Sequence, residues 1–543
     1  MAQTAEQISS RQDDPVEELD ALVIGAGVSG LYQLHCLRER GFNARIYEAG
    51  GGVGGTWYWN RYPGARFDSE SYSYIYSFSK ELLQEWDWSE HYSAQPENEK
   101  YLNFVADKFD LKRDIHFHAR IRSATYDSNT MRWEVETEDG RRASTRFLIS
   151  AVGILSATHM PNIAGIDKFK GRSFHTSRWP HEPVDFSGKR VGVIGTGATA
   201  VQLIPIVAQQ SGHLSVFQRS PNYCCPLRNS RVTDEEQADI KARYEEIFER
   251  CRKTFASFMQ DFDPRRTFDV PQEERYAFYE EIWAQPGFTK WFGCFHDIMT
   301  DEAANEDYAE FVRSKIRERV NDPAVAELLC PKDHPFGAKR IPMETNYYET
   351  YNRENVTLVD VRSDPIACVT ETGIRLESGA EHELDVIIYA TGFDAITGEL
   401  TRMDIKGENG VLLRDKWAPE GPSTYLTLQT AGFPNFFMVN GAVFCNFTRC
   451  AEVVAEWVAE CLGYLQDKGY QRIEADPESE REWTDHAASL TEGMLFTKTD
   501  SWFMGSNVEG KKRGFLFYAG GAPAFRERIA DVAAQDYAGF ITS

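Results

Sequence analysis

The sequence predicts an α/β fold containing two Rossmann-like units, and three observations predict it. Gly25-Ala-Gly-Val-Ser-Gly30 follows a short apolar run, Leu19 to Ile24, and leads into a helix-like run, Leu31 to Arg40. The same arrangement recurs at Gly195-Thr-Gly-Ala-Thr-Ala200, after Lys189-Arg-Val-Gly-Val-Ile194. The position 23 residues past the first glycine is Glu48 in one copy and Gln218 in the other, so the two copies share a register but differ in charge.

Length and composition set the outer bounds. At 543 residues the chain exceeds one ordinary hydrophobic core, so two or more domains are expected. A net charge of −24, a pI near 5.0 and the absence of a Lys/Arg-rich block argue against nucleic acid as a partner. No apolar run approaches the roughly 18 residues of a membrane span. The start, Met1-Ala-Gln-Thr-Ala-Glu, lacks the basic and apolar regions of a secretory signal, so a soluble cytoplasmic protein is expected. The ten cysteines show neither zinc-site nor disulfide-scaffold spacing, and most are expected to be small buried hydrophobes. The adjacent Cys224-Cys225 is not a Cys-x-x-Cys dithiol, and no metal site is expected.

In chain order, the polar segment up to Glu18 reads as a loose arm. Leu19–Ile24, the helix stopped by Gly41, and the strand Ala44–Glu48 form a βαβ beginning with an acidic end. Gly25, Gly27 and Gly30 let the backbone approach a pyrophosphate at the helix N-terminus, and the Glu48 carboxylate can accept the hydroxyls of an adenosine ribose. Gly54 to Asp68 then mixes glycines, aromatics and charges in a way surface loops rarely do. Residues 89–109 read as mostly helical and 115–148 as strands.

In the second copy Gly195, Thr196, Gly197, Ala198 and Thr199 form the nucleotide turn, with Ala200 in place of the third glycine. Gln218 has lost the acid and is followed by Arg219-Ser220, a guanidinium and a hydroxyl suited to a 2′-phosphate, so NADPH rather than NADH is expected there. From about 231 to 330 the composition turns to charged and aromatic helical runs, opening with the capping box Thr233-Asp-Glu-Glu236. Phe255, Phe258, Trp283 and Trp291 in it read as core. Gly337-Ala-Lys-Arg340 follows it, then strand-like residues 355–361, a buried strand ending at Ala390-Thr-Gly392, a loop over 440–447, a helix from about 451 to 466, and Asp500-Ser-Trp-Phe503.

The stretch between the two copies carries the most specific signal. Phe169-x-Gly171-x-x-x-His175-x-x-x-Trp179-Pro180 matches at every fixed position the fingerprint of the type I Baeyer–Villiger monooxygenases, and Gly54-Gly-Thr-Trp57…Arg61-Tyr-Pro-Gly64…Asp68 is similar to the flavin-lining motif of related enzymes. The chain resembles that family from Leu19 to its last residues. The resemblance implies two dinucleotide domains, the second inserted in the first where Ala390-Thr-Gly392 crosses back: an arm over 1–18, an FAD-binding part over 19–155, a linker over 156–190, an NADPH domain over 191–384 with its helical insertion, and a second FAD part over 385–543.

It further implies that ketones become esters or lactones with NADPH and O2 through an anionic flavin C4a-peroxide. Gly55, Thr56, Trp57, Tyr74 and Ile121 would contact FAD, and Asp68 would reach both the flavin ring and the nicotinamide. Arg340 would be the permanent cation beside the reacting oxygen, oriented by Asp68. Lys339 would join Arg219 and Ser220 at the 2′-phosphate, and Trp502 would close over the nicotinamide. His175, on the connector, is read as coupling domain motion to catalysis rather than as an acid or base. Phe444, Asn446 and Phe447 are candidate substrate contacts in a loop that departs from the Gly/Pro-rich form of relatives. A monomer or weak homodimer is expected. The alternatives are an N- or S-oxygenating flavin monooxygenase, which would not need Arg340, a flavin reductase, for which no dithiol is found, and a redox-sensing binding module, which would need neither Asp68 nor Arg340.

Overall fold

In the structure, a computed structural model that describes residues 15–439, 443 and 445–543, two sheets carry the two glycine signatures. The first starts with β1 (Glu17–Ile24), whose residues from Ala21 to Ile24 are buried, followed by α1 (Val28–Glu39) and β2 (Ala44–Tyr47). Glu17 and Glu18, assigned by the sequence to the arm, pair with Ala143 and Ser144, so the strand starts two residues early. After the short helix α2 (Thr56–Trp59) and α3 (Ser71–Tyr74) comes α4 (Gln95–Lys108). Residues 89–94 are not helical as expected: Pro96 marks the first turn, and Ala94 bridges instead to Arg66.

β3 (Ile115–His116), β4 (Ile121–Asp127), β5 (Arg132–Thr137) and β6 (Arg142–Ser150) complete this part of the sheet. β6 lies parallel to β1, with Leu22 opposite Leu148, and antiparallel to β5 through its first residues. The last residues of β6 are covered on that side by a strand from far along the chain, given below.

The linker contributes β7 (Arg172–His175). β8 (Arg190–Ile194), α5 (Ala198–Gln210) and β9 (His213–Gln218) follow, then β10 (Val356–Asp360) and β11 (Val386–Tyr389). Their order is β10-β9-β8-β11-β7, with every pair parallel. β8 and β11 are buried on both faces, one against α5 and the other against the antiparallel strands Ile366–Val369 and Gly373–Leu376, which accounts for the continuous apolar run Val386-Ile-Ile-Tyr389.

Between β9 and β10 lies a helical segment, from Asp234–Ala242 to Pro323–Leu329. Its first helix has the full capping box: the Glu236 N–H donates to Thr233 Oγ1 at 3.2 Å and the Thr233 N–H to Glu236 Oε2 at 2.8 Å. Trp283 and Trp291 are buried in one apolar cluster, with Phe255 and Phe258 packed against it. The chain then returns to the first sheet: β12 (Asp404–Lys406) pairs with β4, and β13 (Phe436–Met438) pairs with Leu148–Ser150 of β6. The helix expected near 451–466 is α6 (Phe447–Lys468), ended by Gly469 at φ +73°.

The cysteines need one correction. Six are buried and free, including Cys224 and Cys225, whose thiols burial pushes up, but Cys445 and Cys450 are joined at 2.04 Å. Among the described residues no helix is long and apolar enough to cross a membrane, and no group of His, Cys, Asp and Glu could hold a metal ion.

Candidate active site between the two nucleotide folds

One cavity of about 1040 Å³ runs along both glycine turns. In the first unit Gly25 has φ +105°, and a Cβ on Gly30 would sit 1.8 Å from the Gly25 carbonyl oxygen, so the turn cannot hold a side chain there. Gly27 caps α1 without a side-chain partner, which leaves the helix's first N–H groups open to the cavity. Glu48, at the end of β2, is buried and accepts from the N–H of Ala26 at 2.7 Å and of Gly50 at 2.6 Å. Burial pushes its pKa up, and those donors act against the shift. Gly25, Gly27, Glu48, Gly55, Thr56 and Trp57 all line this part, as do Tyr74 and Ile121. Tyr74 stacks on Phe67 at 4.4 Å and accepts from the Trp57 indole at 3.3 Å.

The second unit repeats the geometry with the opposite charge. Gly195 has φ +108°, and Gly197 caps α5, again with no side-chain partner and with no atom within 4 Å of an added Cβ. Gly195 to Thr199, Arg219, Ser220 and Lys339 line the cavity. Ser220 Oγ donates to Asp333 Oδ2 at 3.1 Å, and Arg362 donates to both. The bond from His334 and the ion pair with Arg362 hold Asp333 well below the usual carboxylate range. Burial lowers Lys339, with Asp333 pulling the other way. Asp333 and Arg362 were not singled out from the sequence.

Arg340 and Asp68, 272 positions apart, meet between the two units. Arg340 Nη1 donates to Asp68 Oδ2, which also accepts the Met343 N–H at 3.2 Å. The Asp68 side chain is fully buried, whereas that of Arg340 is 27% exposed and lines the cavity. Asp68 therefore stands behind Arg340 rather than on the cavity wall. Its other oxygen accepts from Gln202 Nε2 at 3.3 Å, and Gln202 Oε1 accepts from the Tyr62 hydroxyl at 2.8 Å. Gln202 is on α5, two residues beyond the nucleotide signature, and nothing in the pattern of residues there singles it out. Tyr62 lay inside the quoted aromatic motif.

The linker fingerprint sits mostly off the cavity. A Cβ on Gly171 would approach the Asp385 carbonyl oxygen and the Phe169 ring to 2.5 Å, so the glycine permits close packing there. Trp179 is buried 5.2 Å from Phe174, and Pro180 follows it, half-buried. His175 Nδ1 accepts the Ser177 N–H at 3.1 Å, so its proton is on Nε2, 3.3 Å from Thr391 Oγ1. Burial brings its pKa down to about 4. This neutral ring bonds the linker to the Ala390-Thr-Gly392 crossing. Trp502 lines the cavity and packs on Phe503 at 4.5 Å.

Of the three substrate-loop candidates, Phe447 lines the cavity, and Phe444 lies outside the described residues. Asn446 is corrected: its amide donates to the Ser73 carbonyl at 3.3 Å and to Ser73 Oγ at 3.1 Å, so it faces α3 and not the cavity.

Two uncapped, glycine-lined helix N-termini on one elongated cavity, one beside a buried carboxylate and one beside cations, suit two dinucleotides. This fold and site define a two-nucleotide oxidoreductase. A flavin-binding monooxygenase-like family model matches residues 20–233. The chain is 48% identical over 546 residues to 2-oxo-Δ3-4,5,5-trimethylcyclopentenylacetyl-CoA monooxygenase of Pseudomonas putida, covering 98% of this chain and 99% of that one. It is 44% identical to a Baeyer–Villiger monooxygenase of Pseudooceanicola batsensis, covering 96% of each chain. A crystal structure of OTEMO in complex with FAD and NADP superposes with a TM-score of 0.93 at 48% identity, covering 97% of this chain and all of the other. The chain belongs to the flavin-binding monooxygenases and, among them, to the FAD- and NADPH-dependent Baeyer–Villiger enzymes.

Proposed function

We propose that the protein inserts one atom of O2 beside the carbonyl of a ketone, giving an ester or lactone, while NADPH is oxidised and the second oxygen atom leaves as water. The observation that carries this reading is the Arg340–Asp68 pair, a cation open to the cavity and backed by a fully buried carboxylate. The bound flavin supplies hydride acceptance from NADPH and activation of O2. Arg340, charged at any working pH, stabilises negative charge on the reacting oxygen. Asp68, held by Gln202 and the Met343 N–H, aims the guanidinium.

Gly25, Gly27 and Glu48 bind the FAD adenosine half, with Gly55, Thr56, Trp57, Tyr74 and Ile121 along the rest. The Gly195–Thr199 turn holds the NADPH pyrophosphate, and Arg219, Ser220 and Lys339 the 2′-phosphate. Trp502 covers the nicotinamide side and excludes water. His175 couples the linker to the Thr391 crossing as the domains move. The division at 155, 190 and 384 belongs to the same reading, as do a cytoplasmic location and a monomer or weak homodimer.

The test is product analysis with purified protein, NADPH and oxygen on cyclic ketones, linear ketones, sulfides and tertiary amines, with hydrogen peroxide followed in parallel. Esters or lactones are expected. N-oxides or sulfoxides without any ester would move the protein to the neighbouring heteroatom-oxygenating class.

A further inference from the structure

Within Phe169–Pro180, the fixed fingerprint positions serve packing and the Thr391 contact, and the only side chain of that stretch lining the cavity is that of Arg178, at a variable position. Its guanidinium lies over the Trp59 ring, 4.4 Å from the centroid, within the range of a cation–π contact. Its one hydrogen bond among the described residues runs from Nη1 to the Ser177 carbonyl at 3.1 Å. A guanidinium has five N–H donors, so most of them face the cavity without a protein acceptor.

Neither nearby acid bonds it: Glu399 pairs with Arg120 through Oε1 at 2.6 Å and keeps Oε2 buried without a partner among the described residues, and Glu48 takes the Ala26 and Gly50 N–H groups. Arg402, the third cation nearby, donates to the Thr158 carbonyl at 2.6 Å. Burial and Arg120 both disfavour the charge on Arg178, with Glu399 and Glu48 acting in its favour. A half-buried cation stacked beside the ribose-binding carboxylate thus lacks the oxygen ligands its geometry calls for. Trp59 also lies close enough to Glu48 to act, with the Ala26 and Gly50 N–H groups, against the rise that burial imposes on that carboxylate. Three residues along, the His181 ring packs 5.0 Å from that of Tyr58, so the linker rests on two adjacent aromatics of the first unit.

We propose that Arg178 is a cofactor-positioning residue through which the linker binds the ADP moiety of FAD, donating to its ribose or phosphate oxygens. This rests on the assignment of FAD to the first unit. Because Arg178 belongs to the linker, FAD binding and linker seating become reciprocal: each stabilises the other.

The experiment titrates deflavinated protein with FAD, following quenching of flavin fluorescence, for wild type, Arg178→Met and Arg178→Lys, with NADP+ affinity measured alongside. Arg178→Met is expected to weaken FAD about tenfold and to flatten the salt dependence of its Kd, with NADP+ affinity within twofold of wild type. Arg178→Lys is expected to recover part of the loss by restoring the charge. FAD affinity within twofold of wild type in Arg178→Met, or an equal loss of FAD and NADP+ affinity, would overturn the proposal. If Arg178→Met does not fold, Arg178→Lys decides alone: FAD affinity about three- to fivefold weaker than wild type with NADP+ affinity within twofold supports the contact, and FAD affinity within twofold of wild type overturns it. Wild-type protein that fails to take up FAD would sink the flavin assignment itself, a separate outcome.

Discussion

The two nucleotide units are built alike and charged oppositely. Each has a buried parallel strand, a glycine with φ above +100° and a helix capped by glycine alone. The first ends in the buried carboxylate of Glu48. The second ends in Gln218, whose amide donates to the Leu328 carbonyl at 2.7 Å, with Arg219 exposed beside it. On the proposed function, backbone geometry provides a phosphate cradle in either unit, and the residue at the end of the second strand selects which nucleotide enters. On that reading the chemistry belongs to neither unit alone, because Asp68 comes from the first and Arg340 from the segment that follows the insertion in the second.

The largest effect is expected where the two units meet. Arg340→Ala should lower ester formation by about 10³-fold while both cofactors still bind and NADPH oxidation now releases hydrogen peroxide. Ester formation at the parent rate would show that the reacting oxygen needs no cation from the second unit.

The glycine turns give the next test. Gly30→Ala should abolish FAD retention, since its Cβ would meet the Gly25 carbonyl at 1.8 Å, whereas Ala200→Gly, at the matching position, should cost only about 1 kcal/mol of stability with NADP+ binding intact. Calorimetry with and without cofactors separates the two. Equal losses would mean that the turns are more alike than their packing indicates.

Arg219→Ala should reduce kcat/KM for NADPH by about 10–100-fold, the worth of one charge-assisted phosphate contact, with NADH changed less than twofold. A parallel fall for both nucleotides would break the assignment of the second unit's charge to the 2′-phosphate.

The smallest effect concerns acid. The folded-state pKa of His175 is lowered from 6.5 to about 4, so below pH 6.5 the unfolded chain takes up a proton that the folded chain does not. This contribution to stability is full above pH 6.5 and is lost as the pH falls toward about 4. His175→Asn should flatten the decline of the melting temperature across that window. An unchanged slope would place the acid sensitivity elsewhere.

Much of this was legible in the sequence because it is local. The glycine signatures, the Thr233 capping box and the apolar strand before Ala390 each show within a dozen residues. Arg340 and Asp68 are far apart in sequence and were recognisable only through the motifs around them. Gln202 was missed because its role exists only once the first turns of α5 pass behind Asp68. Asn446 was misread because a place beside the substrate loop does not fix which way an amide points, and the demands of Ser73 decide it. The Cys445–Cys450 link, five residues apart, matches no scaffold spacing. The early start of β1 shows that acidic residues such as Glu17 and Glu18 enter a strand readily when the neighbouring strand supplies backbone partners.

The pairing of β13 with β6 bears on how the chain reaches this state. The edge of β6 beyond β5, from Leu148 to Ser150, has no partner until residues 436–438 have been synthesised and brought back. The inner parallel sheet, by contrast, is complete once β11 at residue 389 has emerged. On a ribosome the inserted unit can therefore settle first, while the outer sheet waits with an exposed edge, a condition that slows folding and favours association with chaperones or with other nascent chains.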